Sequence, residues 1–449
     1  MKKILAMGLG ALLVAGSAGP ASAASQIDFS GYYRAMFAND WNNGIGDDEI
    51  SDSGFSNRLR LNFAFHPTDE ISVFWRFHAP HNQRWGNSGD VRTVYSFGRI
   101  KQDWGTVTIG RLSDAHTYYG LDSLGWNWAG VDDTITDWGV FDPGGERDGI
   151  SYSNRWDNGF QLVAQFLRLA DVEKTNSERG SDDLFILEPS YHWEDGGAAL
   201  GLRYERDHAG AHSHNPGGAD GPALKVFALN PALAQSFGDF SLHFEGLFAW
   251  GRVPVAGQDD MKASGYGLYL DGDYNYGPGN VTLAAWWASG TGSGDDQANN
   301  LVDMGLGNGF IPFVVAGGGN WSGTNAIALA NERSAAIQDG TRMDGGSSGN
   351  HWALALAGAH AFNDDLTLKY TVGYMALNKA ASGAKKDIGW EADLGLAVNL
   401  LDNLEFRSTF GYLFAGDALR TYDDPLDHSS ASHSPQDAFS WYNTLYFRF

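Results

Sequence analysis

Between Leu396 and Phe414 the chain alternates apolar and polar residues at every second position. Leu404, Phe406, Ser408, Phe410, Tyr412 and Phe414 share one parity, while Glu405, Arg407, Thr409 and Gly411 hold the other. They follow a shorter apolar run, Leu396 to Leu400, and a turn at Leu401-Asp402-Asn403. A helix would bring apolar side chains back every three or four residues, so a period of two with one apolar face means a β-strand. The same hairpin recurs along the whole chain. Short turns fall at 67–70, 103–105, 157–159, 194–197, 237–239, 277–280, 363–365 and 401–403, and each holds Gly, Asn, Asp or Pro, which satisfy tight-turn dihedrals. With a first strand at 26–38 and a last at 439–449, these hairpins predict about eighteen strands, or sixteen if one hairpin is misread.

Between the hairpins lie long polar segments at 39–54, 81–90, 113–146, 171–182, 208–221, 252–264, 290–349, 378–387 and 416–437. Short turns on one side and long loops on the other predict an all-β fold, a transmembrane antiparallel β-barrel with long extracellular loops. A soluble sandwich or propeller would have connections of more even length. The 290–349 segment is too long for a bare connection, and Thr324 or Asn325 is placed to cap a short helix running to Gln338, ended by Gly340.

The N-terminus adds a location. Met1-Lys2-Lys3 is followed by an apolar run from Ile4 to Gly16 and small residues at Ala21-Ser22-Ala23, a secretory signal expected to be cleaved after Ala23. Residues 24–449 are then one barrel domain, since no Pro- or Ser-rich linker divides them. Cysteine is absent, so stability must come from backbone pairing and burial. The formal charge of −24 argues against nucleic acid as a partner. Fifty-nine glycines and sixteen tryptophans suit twisted strands with interfacial aromatics.

The motifs of chemistry are missing. No nucleophile elbow or phosphate loop occurs in its strand-to-helix setting, so no enzyme activity and no cofactor are expected. His208, His212 and His214 read as solvated loop residues rather than a metal site, and Asp132-Asp133 and Asp423-Asp424 as exposed loop charge.

Two blocks carry a resemblance. Arg92-Thr93-Val94-Tyr95-Ser96-Phe97-Gly98-Arg99-Ile100 with Trp104-Gly105-Thr106-Val107-Thr108-Ile109-Gly110-Arg111, and Arg147-Asp148-Gly149-Ile150-Ser151-Tyr152-Ser153-Asn154 with Gly159-Phe160-Gln161-Leu162, resemble the fourth to seventh strands of the general Gram-negative outer-membrane porins. The last strand carries Phe439, Trp441, Leu445, Phe447 and Phe449 on one parity. Within it Trp441, Leu445, Phe447 and the terminal Phe449 resemble the signal read by the barrel-assembly machinery.

The resemblance implies a homotrimer in the Gram-negative outer membrane, among outer-membrane lipids, forming a water-filled channel for passive diffusion of small hydrophilic solutes and ions. It also implies a third loop folded into the lumen. The acidic residues of that loop, Asp122, Asp132, Asp133, Asp137, Asp142 and Glu146, would face a basic wall cluster of Arg58, Arg60, Arg92 and Arg147. Parity agrees, since Leu59, Leu61, Val91, Tyr95, Ile150 and Tyr152 fall on the opposite faces, whereas Arg99 and Arg111 fall on the apolar parity and are expected outside the lumen.

The Pro-Glu-Phe-Gly-Gly run of some members' third loop is absent, and eighteen strands would resemble substrate-specific porins. A channel for sugars or oxyanions, with inward Tyr32, Phe74 and Trp286 as a stacking path, is therefore the alternative. A loop-mediated adhesin or structural barrel is the third reading.

Overall fold

The computed structural model describes residues 26–41, 52–79, 83–84, 91–113, 146–172, 180–207, 224–253, 261–290, 313, 315, 330, 350–380, 382–424 and 427–449. The wall begins with β1 (Gln26–Trp41), β2 (Asp52–His66) and β3 (Ile71–His78), which the short β4 (Gln83–Arg84) continues along β2. Next come β5 (Arg92–Gln102), β6 (Gly105–Ser113), β7 (Glu146–Arg155), β8 (Phe160–Val172), β9 (Gly180–Trp193) and β10 (Gly196–Asp207). They are followed by β11 (Leu224–Phe237), β12 (Phe240–Val253), β13 (Met261–Asn275) and β14 (Gly279–Ala288). The remaining strands are β15 (His351–Asn363), β16 (Leu366–Leu377), β17 (Asp387–Leu401) and β18 (Leu404–Ala415), then a small separate hairpin of β19 (Thr421–Asp424) and β20 (Asp427–His433), and finally β21 (Ala438–Arg448).

Setting aside β4, β19 and β20, the wall is a closed antiparallel barrel of eighteen strands, not sixteen. The seam joins β1 to β21, from Tyr32 opposite Arg448 to Trp41 opposite Phe439. Beyond it Gly31 N–H donates to Phe449 O at 2.9 Å and Phe449 N–H donates back to Gly31 O at 3.1 Å. Closure has a physical cause: in hydrocarbon an unpaired backbone group costs several kcal/mol, so a membrane sheet cannot keep an edge. All eight expected turns join consecutive strands at one end of the barrel, and the long connections lie at the other.

Alternation sorts the side chains. On β13 Tyr266, Leu268, Leu270 and Tyr274 are exposed on the outer surface, while Ala263, Tyr269, Asp271 and Asp273 are buried toward the lumen. On β21 Trp441, Leu445, Phe447 and the following Phe449 face outward, and Ser440, Tyr442, Thr444 and Tyr446 are buried inside. At the turn end Gly159 has φ +87° and a Cβ there would lie 2.2 Å from His192 O, so only glycine fits that turn.

One strand departs from its expected parity. Arg76 of β3 pairs with Tyr95 of β5, but the next residue, Phe77, pairs with Thr93, so Val94 is a bulge. A bulge adds one residue to one strand and reverses the facing of everything beyond it. Tyr95, Phe97 and Arg99 therefore lie on the lumen row, and the expectation that placed Tyr95 and Arg99 outside is corrected. Arg99 donates from Nε to Thr108 Oγ1 at 3.4 Å and lies over the Phe97 ring. Arg111, beyond a regular pairing, does face outward with Ile109.

The third loop, 114–145, with its expected course into the lumen, lies outside the described residues. The connection between β14 and β15 gives a clearer result: Phe313, Val315 and Ala330 are all buried in one cluster with the lumen side chains of β14 to β18. Ala330 is helical, at the middle of the expected 324–338 helix, whose other residues lie outside the described set.

Candidate functional site

Among its buried charges the lumen of the described barrel carries a basic cluster and, across from it, an acidic one, with further buried carboxylates at Asp40, Glu188, Glu391, Asp393 and Glu405. The basic one starts where β1 meets β2, with Arg34 directly opposite Arg58 and Tyr32 opposite Arg60. All four side chains are buried. Arg60 Nε donates to His78 Nε2 of β3 at 2.8 Å, and its guanidinium carbon lies 5.0 Å from the Tyr32 ring centroid. Arg76, two positions before His78 on the same face, donates from Nε to Asn62 Oδ1 at 2.7 Å and stacks over Tyr95 at 4.9 Å. Flat guanidinium groups against aromatic faces keep their charge at low desolvation cost, so this wall holds cations in fixed places.

The acidic wall is on β12 and β13. Glu245, Asp271 and Asp273 are buried side chains on the lumen rows of these neighbouring strands. Each is held by donors: Asn230 Nδ2 to Glu245 at 3.1 Å, Asn280 Nδ2 to Asp273 at 2.8 Å and the Thr282 hydroxyl to Asp273 at 2.5 Å. His243 Nδ1 lies 2.8 Å from Asp271 Oδ1. In the ring, β12 stands nine strands from β2 and β13 nine from β3, which is half of eighteen. The carboxylates therefore face the arginines from across the barrel.

The third part of the site is the chain between β14 and β15. Phe313 packs on Trp286 with ring centroids 5.9 Å apart, and Val315 N–H donates to Glu391 Oε1 of β17 at 2.6 Å. The receiving wall is made of small residues: Ala284, Ala353, Ala355, Ala357 and Gly373. A Cβ at position 373 would lie 2.5 Å from Phe313 Cζ, so glycine there makes room for the ring. Trp286 also donates from Nε1 to His351 Nε2 at 2.8 Å.

Of the residues singled out from sequence, Arg58 and Arg60 lie together on the basic wall. Arg92 faces the same side opposite His78 but is exposed near the loop end. Arg147 pairs with Leu112 on the lumen face two strands further round from β5 and does not join the cluster. Asp122, Asp132, Asp133, Asp137 and Asp142 lie outside the described residues, as do His208, His212 and His214. Glu146 begins β7, and its side chain is not described. Tyr32, Phe74 and Trp286 all point inward but form no single path, since Phe74 stacks on Phe97 while Trp286 is taken up by Phe313.

Sequence reasoning missed Arg34 and the acidic wall. Arg34 had a readable signal, because the outward row Phe29, Tyr33 and Phe37 leaves it on the inner parity. Glu245, Asp271 and Asp273 sit on inner parities too, but their position opposite the arginines exists only in the closed ring.

The model of the Gram-negative porin family matches residues 10–381. The chain belongs to that family. No curated relative matches it. Among solved structures, the porin is similar to the outer membrane protein opdK from Pseudomonas aeruginosa, at 12% identity and a TM-score of 0.53, over 94% of this chain and 98% of that one. OccK2 (OpdF) from the same organism has the same values. An anion-selective porin from Comamonas acidovorans shares 12% identity over 95% of this chain and all of its own, with a TM-score of 0.47. Family and closed barrel together make this porin an outer-membrane channel, with its turns on the periplasmic side and its long loops outside.

Proposed function

We propose that the porin passes small hydrophilic solutes by passive diffusion through a lumen with a transverse electric field. The observation that carries this reading is the placement of Arg34, Arg58 and Arg60, on β1 and β2, seven to nine strands round the eighteen-strand ring from Glu245, Asp271 and Asp273. Low-dielectric walls focus such a field, which aligns polar, well-hydrated solutes and hinders apolar ones that must give up ordered water. Asp122, Asp132, Asp133, Asp137 and Asp142 of the third loop, with Glu146 at the start of β7, are proposed to add to the acidic side.

Reversal potentials across planar bilayers test it. A charge about 4 Å from a passing ion contributes ~1 kcal/mol even in bulk water, or about fivefold in permeability. Arg58→Gln with Arg60→Gln should shift selectivity toward cations by that order, and Glu245→Gln with Asp271→Asn should shift it toward anions. Equal reversal potentials in all three proteins would sink the reading.

A second reading, a channel selective for oxyanions, is favoured by the alternation of Arg60, Arg76, Tyr32 and Tyr95 on one wall, which suits a planar anion. OpdK has been solved with vanillate. Saturable block of conductance by one class of anion is the expected sign, and flux that falls with solute size alone speaks against it.

The same proposal includes export by cleavage after Ala23, assembly as a homotrimer, and recognition of Trp441, Leu445, Phe447 and Phe449 by the assembly machinery. Removal of Phe449 should lower the amount of heat-modifiable barrel in the outer membrane, and an unchanged amount would remove that role.

A further inference from the structure

At the periplasmic end of the lumen a cavity of about 800 Å³ opens between the short turns and the inner wall of β5 to β8. Register explains which side chains line it. Glu70, just before β3, accepts the Lys101 N–H at its carbonyl at 2.7 Å, Lys101 stands opposite Thr106, and Thr106 stands opposite Ser153. One row thus runs across four strands. Arg155 and Gln161, paired between β7 and β8, line the cavity one step nearer the turns. Both steps continue the inward parity of Arg99 and Thr108, and Asp69 and Asp103 close the rim from the turns after β2 and β5.

The layer above is engaged with itself. Arg99 donates to Thr108 there, and Gln165 Nε2 donates to Ser151 Oγ at 3.1 Å. Around the cavity, no side-chain hydrogen bond or ion pair among the described residues engages Lys101, Thr106, Ser153, Arg155 or Gln161. Asp69, Glu70 and Asp103 make no ion pair with either cation, although Glu70 and Lys101 are neighbours across the ladder. Two cations, three carboxylates and a set of hydroxyl and amide groups therefore face one space with their bonding capacity unused.

We propose that this vestibule is a binding step for short zwitterionic peptides, an inference that rests on the lumen being a diffusion path but not on its transverse field. A plain anion meets three carboxylates here and a plain cation meets Lys101 and Arg155, whereas a solute with one charge of each sign satisfies both sets. The Arg155 fork takes a terminal carboxylate through paired hydrogen bonds, and Lys101 adds a point charge. The carboxylates of the rim take the terminal ammonium, while Thr106, Ser153 and Gln161 supply donors and acceptors for the peptide groups between.

Size agrees with charge. Neighbouring strands lie ~4.8 Å apart, which sets Arg155 on β7 roughly 5–10 Å from the Asp103 turn and roughly 14 Å from the turn with Asp69 and Glu70. An extended residue advances ~3.3–3.6 Å, so two to four residues bridge the two sets. Lys101, Arg155 and Asp103 are exposed, and screened charges of that kind hold a solute weakly enough to release it into the periplasm.

The test records single channels of the full-length protein in planar bilayers at low ionic strength, with peptide added from the side of the short turns. The probes are trialanine, N-acetyltrialanine and trialanine amide. A unit charge at about 4 Å in water is worth about fivefold in affinity. Trialanine should therefore block the current saturably, and each capped peptide should block at least about fivefold more weakly. Lys101→Gln with Arg155→Gln should weaken trialanine on the order of twentyfold and strengthen trialanine amide. Asp69→Asn with Asp103→Asn should weaken trialanine and strengthen N-acetyltrialanine. Opposite signs for the two capped peptides are a result that a merely structural role of these residues would not give.

Equal block of the parent protein by all three peptides overturns the proposal, as does unchanged trialanine block in both double variants. Tighter block by N-acetyltrialanine than by trialanine also overturns it, because the cavity would then be a site for plain anions. Should a double variant not yield the heat-modifiable barrel, the three peptides on the parent protein still decide. Reversal potentials of the Arg58 and Arg60 variant bear on the transverse field alone, so either reading can fail without the other.

Discussion

Leu394→Arg should lower the stability of the folded porin by about 2–4 kcal/mol, the cost of an arginine on the lipid face near the bilayer midplane. Leu394 lies at the centre of β17, more than half exposed on the outer surface, and pairs with Tyr370 and Phe410 on its neighbours. Its chain neighbour Asp393 is buried on the lumen side. One position along a strand therefore changes the surroundings from hydrocarbon to the channel interior, and Asp393→Asn should change stability far less. Urea titration of the protein refolded into lipid vesicles measures both. If Leu394→Arg and Asp393→Asn have midpoints equal to the parent, the division of faces is wrong.

Phe313→Ala should unseat the β14–β15 connection from the lumen and raise the single-channel conductance. Truncating a buried phenylalanine costs about 3–5 kcal/mol, and among the described residues Val315 and Ala330 are buried in the same cluster, with Val315 N–H on Glu391. Removing the acceptor by Glu391→Ala leaves a buried N–H without its partner, at about 1–3 kcal/mol, and should act in the same direction. Gly373→Val attacks the seat from the wall side, since even a Cβ there meets the Phe313 ring. Together the three variants distinguish loop seating from a local effect at any one residue. The idea fails if all three leave conductance and the size limit for uncharged solutes unchanged.

Strand count, turn positions and the facing of most wall residues were legible in the chain because a half-buried strand has a side-chain period of two and a tight turn needs a few special residues. The hairpin at 401–403 and the outward row ending at Phe449 fall where the pattern places them. Arg58 and Arg60 were legible for the same reason. Arg99 and Tyr95 were not, because parity carries no mark of an inserted residue: Val94 looks like any other valine of a strand. The inward course of Phe313 was equally hidden. A loop with two phenylalanines, Phe310 and Phe313, is compatible with many paths, and the small residues that receive Phe313 are spread over β14, β15 and β16.

By itself the sequence determined what neighbours in the chain can determine: where strands run, where they turn, which face of each is apolar, and that the two ends of the wall are unlike. The tertiary structure decided what depends on closure. Only a ring of eighteen sets Glu245 and Asp271 across the lumen from Arg34 and Arg58, and only register across eight strands draws Arg111 to Lys262 into one outward-facing line. These are relations between residues far apart in the chain, fixed by backbone hydrogen bonds that any side chain accepts, so composition and periodicity leave no trace of them.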